Sequence, residues 1–326
     1  MSSGEDTLIA TYFKPLATDP GAFGLADDAA VLQARGEDVV VNTDAIVEGV
    51  HFLPDDPADT IARKALRVNL SDLAAKGAIP AGFVLTLALR ERDPDWLEAF
   101  ARGLGEDTRL FGCPLLGGDT VSTPGPIMIS ITAFGRVPEG RMVRRSGAMP
   151  GDLVVVTGTI GDAALGLDVL KGGAVKASLA HDMAAAAGLI ARYRIPQPRN
   201  ALAKAVRDHA RAAMDVSDGL AGDLTRLLAA SGVAASISTA EIPLSTPARL
   251  LLERGTVELE TLLSAGDDYE ILCTIPPSRL MAFTDEAQRA GVPVSAIGTI
   301  SAGAGLRMVD AQGRELVLSR LSYSHF

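Results

Sequence analysis

Ile127-Met-Ile-Ser-Ile-Thr132 sets three isoleucines on one side of an extended chain and Met128, Ser130 and Thr132 on the other. A period of two with unlike faces predicts a strand in a sheet that is covered on one side. Working outward, branched apolar runs of strand length recur at Val39-Val-Val41 and over residues 83–89, 153–156 and 270–275. Helical patterns lie between them, over 96–110, 162–170 and 183–193. This alternation predicts a mixed α/β fold. Arg144-Arg-Ser-Gly-Ala-Met-Pro-Gly-Asp152 breaks the pattern with turn formers just before the strand that starts at Leu153. Two domains, 1–148 and 149–326, are therefore expected, and the length of 326 residues gives each enough chain to bury its own core.

Composition narrows the function. Thirty basic residues against 40 acidic ones leave a net charge of −10, which repels a phosphate backbone or an anionic bilayer, so neither nucleic acid nor membrane is an expected partner. The run Phe83-Val-Leu-Thr-Leu-Ala-Leu89 is far short of the roughly 18 apolar residues that span a bilayer. The N-terminus, Met-Ser-Ser-Gly-Glu-Asp, lacks the basic-then-apolar order of a signal peptide. Cys113 and Cys273, far apart in apolar surroundings, read as two buried thiols of a cytoplasmic protein.

The familiar phosphate-binding signatures are missing. No Gly-Lys dipeptide occurs, so there is no Walker A loop, and Val156-Thr-Gly-Thr-Ile-Gly161 reads as a plain tight turn. The four histidines, at 51, 181, 209 and 325, offer no metal-ligand spacing. What the chain does offer is aspartates beside glycines or at strand ends: Asp28, Asp44 closing Val39-Val-Val-Asn-Thr-Asp44, Asp119 after Leu115-Leu-Gly-Gly118, and Asp215 and Asp218 in Met214-Asp-Val-Ser-Asp-Gly-Leu220. Asp218 also reads as the N-cap of the helix carrying Leu220, Leu224, Leu227 and Leu228. Asp72 differs from these, because in the helix over about residues 57–78 it continues the apolar stripe Ile61, Ala65, Val68 and so points at the core. A carboxylate there needs either an ion pair, with Lys76 one turn on, or a metal if other carboxylates converge. Converging aspartates with no Cys or His among them select a hard cation, Mg2+, and Mg2+ held by many carboxylates implies several ions and a polyphosphate. Phosphoryl transfer is the leading reaction class.

Taken together, Gly24-Leu-Ala-Asp-Asp-Ala-Ala30, Asn42-Thr-Asp-Ala-Ile-Val-Glu-Gly-Val-His-Phe52, Lys64-Ala-Leu-Arg-Val-Asn-Leu-Ser-Asp-Leu-Ala-Ala-Lys-Gly-Ala78, Gly117-Gly-Asp-Thr120, Arg145-Ser-Gly-Ala148, Asp215-Val-Ser-Asp-Gly-Leu220 and Gly266-Asp-Asp-Tyr-Glu270 resemble, in this order, the thiamine-monophosphate kinases. The Asn-Leu-Ser-Asp-Leu-Ala and Gly-Gly-Asp-Thr parts alone resemble the wider aminoimidazole-ribonucleotide synthetase superfamily. The resemblance implies a PurM-like α/β (α+β) fold, with an N-terminal mixed-sheet domain forming a barrel-like interface in a homodimer and a C-terminal α/β domain completing the active site. It implies ATP and thiamine monophosphate as substrates and several Mg2+ ions on Asp28, Asn42, Thr43, Asp44, Asp72, Asp119, Asp215 and Asp218. Gly118, Asp119, Arg145 and Ser217 fall at nucleotide-contacting positions, with Arg145 and Asp119 catalytic; His51, Asp267 and Tyr323 fall at positions facing thiamine monophosphate. Three departures from the family pattern are Ala26 in Gly24-Leu-Ala-Asp-Asp28, Asn42 before Thr43-Asp44, and Asp267 in place of a glutamate.

Other readings of single residues remain: a packed loop histidine for His51, a salt-bridging surface arginine for Arg145, a frayed tail for Tyr323. So do other readings of the whole, namely a sibling enzyme activating an amide or selenide, a non-catalytic nucleotide binder, or a phosphohydrolase.

Overall fold

The computed structural model describes residues 23, 26–27, 30–34 (backbone alone), 36–91 and 93–322. The alternating stretch is indeed a strand, β5 (Met128–Pro138); Ile129, Ile131, Ala133 and Val137 are buried while Met128 stays exposed. It is the middle of a five-stranded mixed sheet with β1 (Ala30–Ala34), β2 (Glu37–Val47), β3 (Ile79–Leu89) and β4 (Leu115–Ser122), in the order β1-β2-β5-β3-β4. β2 and β3 flank β5 antiparallel, and β4 joins β3 in parallel as an edge strand whose residues are all exposed. Asp44, expected at the end of its strand, does not close β2. It pairs with Ile131, and the strand continues to Val47 because β5 supplies partners that far.

Helix α1 (Ala58–Ala75) covers one face of this sheet, and fifteen of its eighteen residues are buried. One stripe alone cannot account for that. Ile61, Ala65 and Val68 pack with Val40, Ile46 and Phe83 of the sheet, while Ala74 and Ala75 belong to a second core with Val155, Leu202, Val206 and Ile271. α1 is thus a wall shared by both halves of the molecule. Helix α2 (Pro94–Phe111) lies beside it, capped by the Asp93 side chain, which accepts from the amides of Asp95 and Trp96.

The second sheet has six strands in the order β11-β8-β10-β6-β9-β7, where β6 is Leu153–Thr157, β7 Ala212–Asp215, β8 Ala234–Ser238, β9 Ile271–Ile275, β10 Val294–Ser301 and β11 Gly305–Val309. β6 and β9 are almost wholly apolar and buried, as central strands covered on both faces must be. Helices α3 (Asp162–Lys171) and α4 (Met183–Arg194) pack together on one side through Leu165, Val169 and Leu189. Helix α5 (Leu220–Ser231) turns Leu220, Leu224, Leu227 and Leu228 onto the sheet. Cys113 and Cys273 are buried free thiols, and loss of solvation pushes them up to about 11 and about 12. Among the described residues no helix is long and apolar enough to cross a membrane.

α3 and α4 approach so closely that a Cβ on Gly166 would lie 2.1 Å from the Leu189 carbonyl oxygen. Gly166→Ala therefore overpacks a backbone contact and should lower stability by about 1–3 kcal/mol. Gly105→Ala, in the interior of α2 with nothing nearer than 3.5 Å, is the contrasting case: it should be neutral or stabilise by up to about 1 kcal/mol through helix propensity. Thermal melts of the two variants check this, and equal losses would contradict it.

Candidate active site

A cavity of about 920 Å3 opens between the two sheets. β2 and the turn after it contribute Asp44 and His51; α1 contributes Asp72; the end of β7 and the following loop contribute Asp215, Ser217 and Asp218; and the loop before β9 contributes Asp267 and Tyr269. Seven of the residues expected from sequence therefore meet around one cleft. Asn42 lies just behind it. Its amide nitrogen donates to the Asn69 carbonyl (3.2 Å), Asn69 Oδ1 (3.1 Å) and Asp72 Oδ2 (2.9 Å), and its own Oδ1 is buried without a hydrogen-bond partner. Asn69 Oδ1 also accepts from the Asp44 backbone amide (3.1 Å), so one buried pair of side-chain amides fixes the Asp72 carboxylate and the backbone that carries Asp44.

Other expected residues lie elsewhere. Thr43 points to the opposite face of β2 from Asp44, as strand alternation requires, and its hydroxyl donates to the Ile131 carbonyl (3.1 Å). Gly118 and Asp119 stand on exposed β4. Asp119 pairs with Thr86 in register, at about the level of Asp44 but three strand spacings away, roughly 14 Å. Gly118 has a structural reason of its own, since a Cβ there would lie 2.0 Å from the Leu85 carbonyl oxygen. Arg145 is half-buried beside the cluster, where the charges of Asp27, Asp223 and Asp215 act on it; burial lowers its pKa. Asp28 and Tyr323 lie outside the described residues.

The carboxylates repel one another. Burial raises Asp72 well above the usual range, and the charges of Asp215 and Asp44 raise it further. Burial lifts Asp215 to about 7, with Asp223 and Asp44 adding to the shift. Asp44 opens to the cleft, yet the surrounding protein takes away enough bulk solvent to raise its pKa too; a hydrogen bond shared with Asp72 offsets part of this. The ion pair with Lys76, the alternative to a metal at Asp72, is not formed: Lys76 reaches Asp27 (2.8 Å) and the Ala213 carbonyl (3.0 Å), and its charge acts on Asp72 only through space. Asp218 does not cap α5 with its side chain. Gly219 occupies the N-cap, and Asp223, one turn into the helix, accepts from the amides of Ser217 (3.1 Å) and Asp218 (3.0 Å). Arg226 bridges Asp218 and Asp223. Asp223, lifted by burial to about 7, was legible by the rule that singled out Asp72, because it lies on the stripe of Leu220, Leu224 and Leu227.

The donors are all oxygens, the carboxylates carry more charge than the protein balances, and Asn42 Oδ1 is left unpaired. These features suit a hard cation. Among the described residues no three Asp, Glu, His or Cys side chains close around one point. Mg2+, the cation expected from the sequence, keeps waters and takes substrate phosphate and so does not require an all-protein cage.

The far end of the cleft has a different character. Lys64 and Tyr193, which the sequence reading did not single out, meet His51 and Asp267 there. His51 Nδ1 accepts from the Val47 amide (3.0 Å), so the neutral imidazole carries its proton on Nε2. In Gly266-Asp-Asp-Tyr-Glu270 the cleft is lined by Gly266, Asp267 and Tyr269, whereas Asp268 and Glu270 turn away from it. Asp268 takes the Gly161 amide on both oxygens, and fully buried Glu270 is bound by Arg192, Arg199 and the Thr157 hydroxyl.

This two-sheet architecture is that of the AIR synthase related proteins: the N-terminal domain of that family matches residues 26–137 and the C-terminal domain residues 149–311. Within that class, a thiamine-monophosphate kinase of Caulobacter vibrioides is 45% identical over 97% of this chain and 89% of its own length. The crystal structure of thiamine-monophosphate kinase from Stenotrophomonas maltophilia K279a is 38% identical, with a TM-score of 0.78 over 97% of this chain and 99% of that one. A structure of AaThiL complexed with AMPPCP and TMP gives 29% identity and a TM-score of 0.80 over 94% of this chain and 97% of that one. The chain belongs to the thiamine-monophosphate kinase family.

The raised carboxyls set a pH dependence for the protein without divalent cations. Between about 3.8, its unfolded value, and about 7, Asp215 holds a proton in the folded state that the unfolded chain has lost. Its stabilising contribution is therefore complete below 3.8 and disappears as pH rises through 7. In EDTA the melting temperature should fall between pH 6 and pH 8, and Asp72→Asn should raise stability at pH 8 by about 1 kcal/mol or more, since the amide oxygen can still accept from Asn42. A variant less stable than wild type at pH 8 would mean that Asp72 is a satisfied ion.

Proposed function

We propose that this chain transfers the γ-phosphoryl group of ATP directly to the phosphate of thiamine monophosphate, releasing thiamine diphosphate and ADP. The observation that carries this reading is the convergence of Asp44, Asp72, Asp215 and Asp218 on one cleft, where the repulsion among Asp44, Asp72 and Asp215 is relieved by protons or by bound cations. Relatives that are thiamine-monophosphate kinases, and the AaThiL complex with AMPPCP and TMP, support the choice of substrates.

The acceptor needs no general base, because a phosphate monoester has a second pKa near 6 and its attacking oxygen is already deprotonated at neutral pH. The obstacle is the repulsion between two phosphates. Mg2+ ions bound here would supply charge neutralisation and in-line alignment of those phosphates. Asp28, Asp44, Asp72, Asp215 and Asp218 would hold them, with Asn42 through its unpaired Oδ1 and Thr43 through its backbone, its hydroxyl being engaged with Ile131. Arg145 and Ser217 act on the nucleotide phosphates, and His51, Asp267 and Tyr323 face thiamine monophosphate. Gly118 and Asp119 keep nucleotide and metal roles, acting from the sheet edge on the side where we place a second copy of the chain. Exposed Leu115, Leu116 and Val121 on β4, with Ile79 at the start of β3 and Met128 on β5 also exposed, give that copy an apolar surface, and sedimentation as a monomer would contradict the homodimer.

With ATP, Mg2+ and thiamine monophosphate, ADP and thiamine diphosphate should appear in equal amounts. Orthophosphate without thiamine diphosphate would replace this reading with a phosphohydrolase. Asp44→Asn should cut turnover by about three orders of magnitude or more, roughly 4 kcal/mol of transition-state stabilisation, while leaving the melting temperature in EDTA unchanged or raised. Near-normal turnover at saturating Mg2+ would remove Asp44 from the metal site.

A further inference from the structure

Lys64 is 1% exposed, and a buried ammonium is costly unless its hydrogens are used. Its Nζ donates to the His51 carbonyl (2.8 Å) and to Asp267 Oδ2 (2.7 Å) and lies 3.9 Å from the centre of the Tyr193 ring. The Tyr193 hydroxyl donates to the same His51 carbonyl (3.3 Å). One ammonium on α1 thus ties together two residues that face the substrate, one from each half of the molecule and 216 positions apart in sequence.

The Asp267 end of this tie is a loop under backbone strain. Asp267 and Tyr269 are non-glycine residues at φ +71° and +51°. The loop is held by the Asp267 amide on the Ser217 carbonyl (2.7 Å), the Tyr269 amide on the Val216 carbonyl (2.8 Å) and the Tyr269 hydroxyl on Asp267 Oδ1 (3.1 Å). Lys64 is its one side-chain anchor from α1 among the contacts just named. The Asp267 side chain keeps 24% of its surface exposed and lines the cleft, so the carboxylate retains room to accept from a bound molecule. Pairing with Lys64 also leaves this end of the cleft electrically balanced.

We propose that Lys64 is the positioning residue for the acceptor substrate, setting Asp267 and His51 at the geometry that recognises a molecule with hydrogen-bond donors at one end and a phosphate at the other. The assignment of that acceptor as thiamine monophosphate rests on the function proposed above. Lys64 acts through Asp267 and touches neither nucleotide nor transferred phosphoryl group.

The test is a cycle of Lys64→Met, Asp267→Ala and the double variant, with Lys64→Gln as the near-isosteric control that keeps a donor. Lys64→Met should raise the KM for thiamine monophosphate about tenfold and change kcat and the KM for ATP less than threefold; Lys64→Gln should fall between wild type and Lys64→Met. The double variant should be much less impaired than the product of the two single effects and close to Asp267→Ala, because once Asp267 is gone only the tie to the His51 carbonyl is left for Lys64 to act on. Multiplying effects in the double variant, or an unchanged KM in both Lys64 variants, would overturn the proposal. Hydrogen exchange at the Asp267 and Tyr269 amides of the substrate-free protein gives a second readout: Lys64→Met should speed it about tenfold, and unchanged exchange would overturn the proposal. That readout stands even if wild type makes no thiamine diphosphate, a result that would count against the proposed substrate alone.

Discussion

Repulsion among carboxylates that share too little solvent is the constraint on which the rest of the structure depends. Asp72, Asp44 and Asp215 come from a helix, a strand and the end of a strand in the other sheet, and the energy of each depends on the charge of the others. A protein selected for stability alone would place apolar side chains at these positions. Here the buried amides of Asn42 and Asn69 instead hold the Asp72 carboxylate and the backbone of Asp44 in place. Such a site is at its most stable when protonated or loaded with cations, and it suits a reaction in which two phosphate groups must be brought together.

Helix α1 delivers that arrangement because it belongs to both cores. Ile61, Ala65 and Val68 face the first sheet, Ala74 and Ala75 join the second core, and polar groups in and just after the helix cross to the second half at defined atoms: Arg67 to the Pro196 carbonyl while bound to Asp107, Lys76 to the Ala213 carbonyl, and the Leu70 carbonyl to Asn200. Each cation on the helix has a carboxylate partner, Arg63 with Glu106, Lys64 with Asp267 and Arg67 with Asp107, which lowers the cost of burying it. The same ties fix where Asp72 stands relative to Asp215 and where Lys64 stands relative to Asp267. A rigid cleft wall follows from how the helix is buried.

Local patterns in the sequence foretold the elements well. The alternation at 127–132 gave β5, the apolar runs gave β3, β6 and β9 within a few residues, and the stripe through Ile61, Ala65 and Val68 identified Asp72 as an inward carboxylate. Asp223 obeys the same stripe rule and was passed over because it lies one turn beyond a motif that already held two aspartates. Lys64 could not be found this way: its partner is 203 residues distant, and a lysine on a helix reads as solvated until the second domain closes over it. Thr43 and Asp44 adjoin in sequence but face opposite sides of β2, and Asp119 lies three strands from Asp44 because the sheet order does not follow the chain order. Spacing along a chain reports which residues share a face. It does not report which faces meet.

The central claim is that the cleft carboxylates retain protons that a divalent cation displaces. Calorimetric titration of the nucleotide-free protein with Mg2+ at pH 6.5, in two buffers of different ionisation enthalpy, measures this directly. Since Asp215 sits at about 7 and Asp72 is raised as well, binding should release protons, giving heats that differ between the buffers, and Asp215→Asn should diminish that difference. Mg2+ binding with identical heats in both buffers would show that the carboxylates are already ionised and would contradict the account.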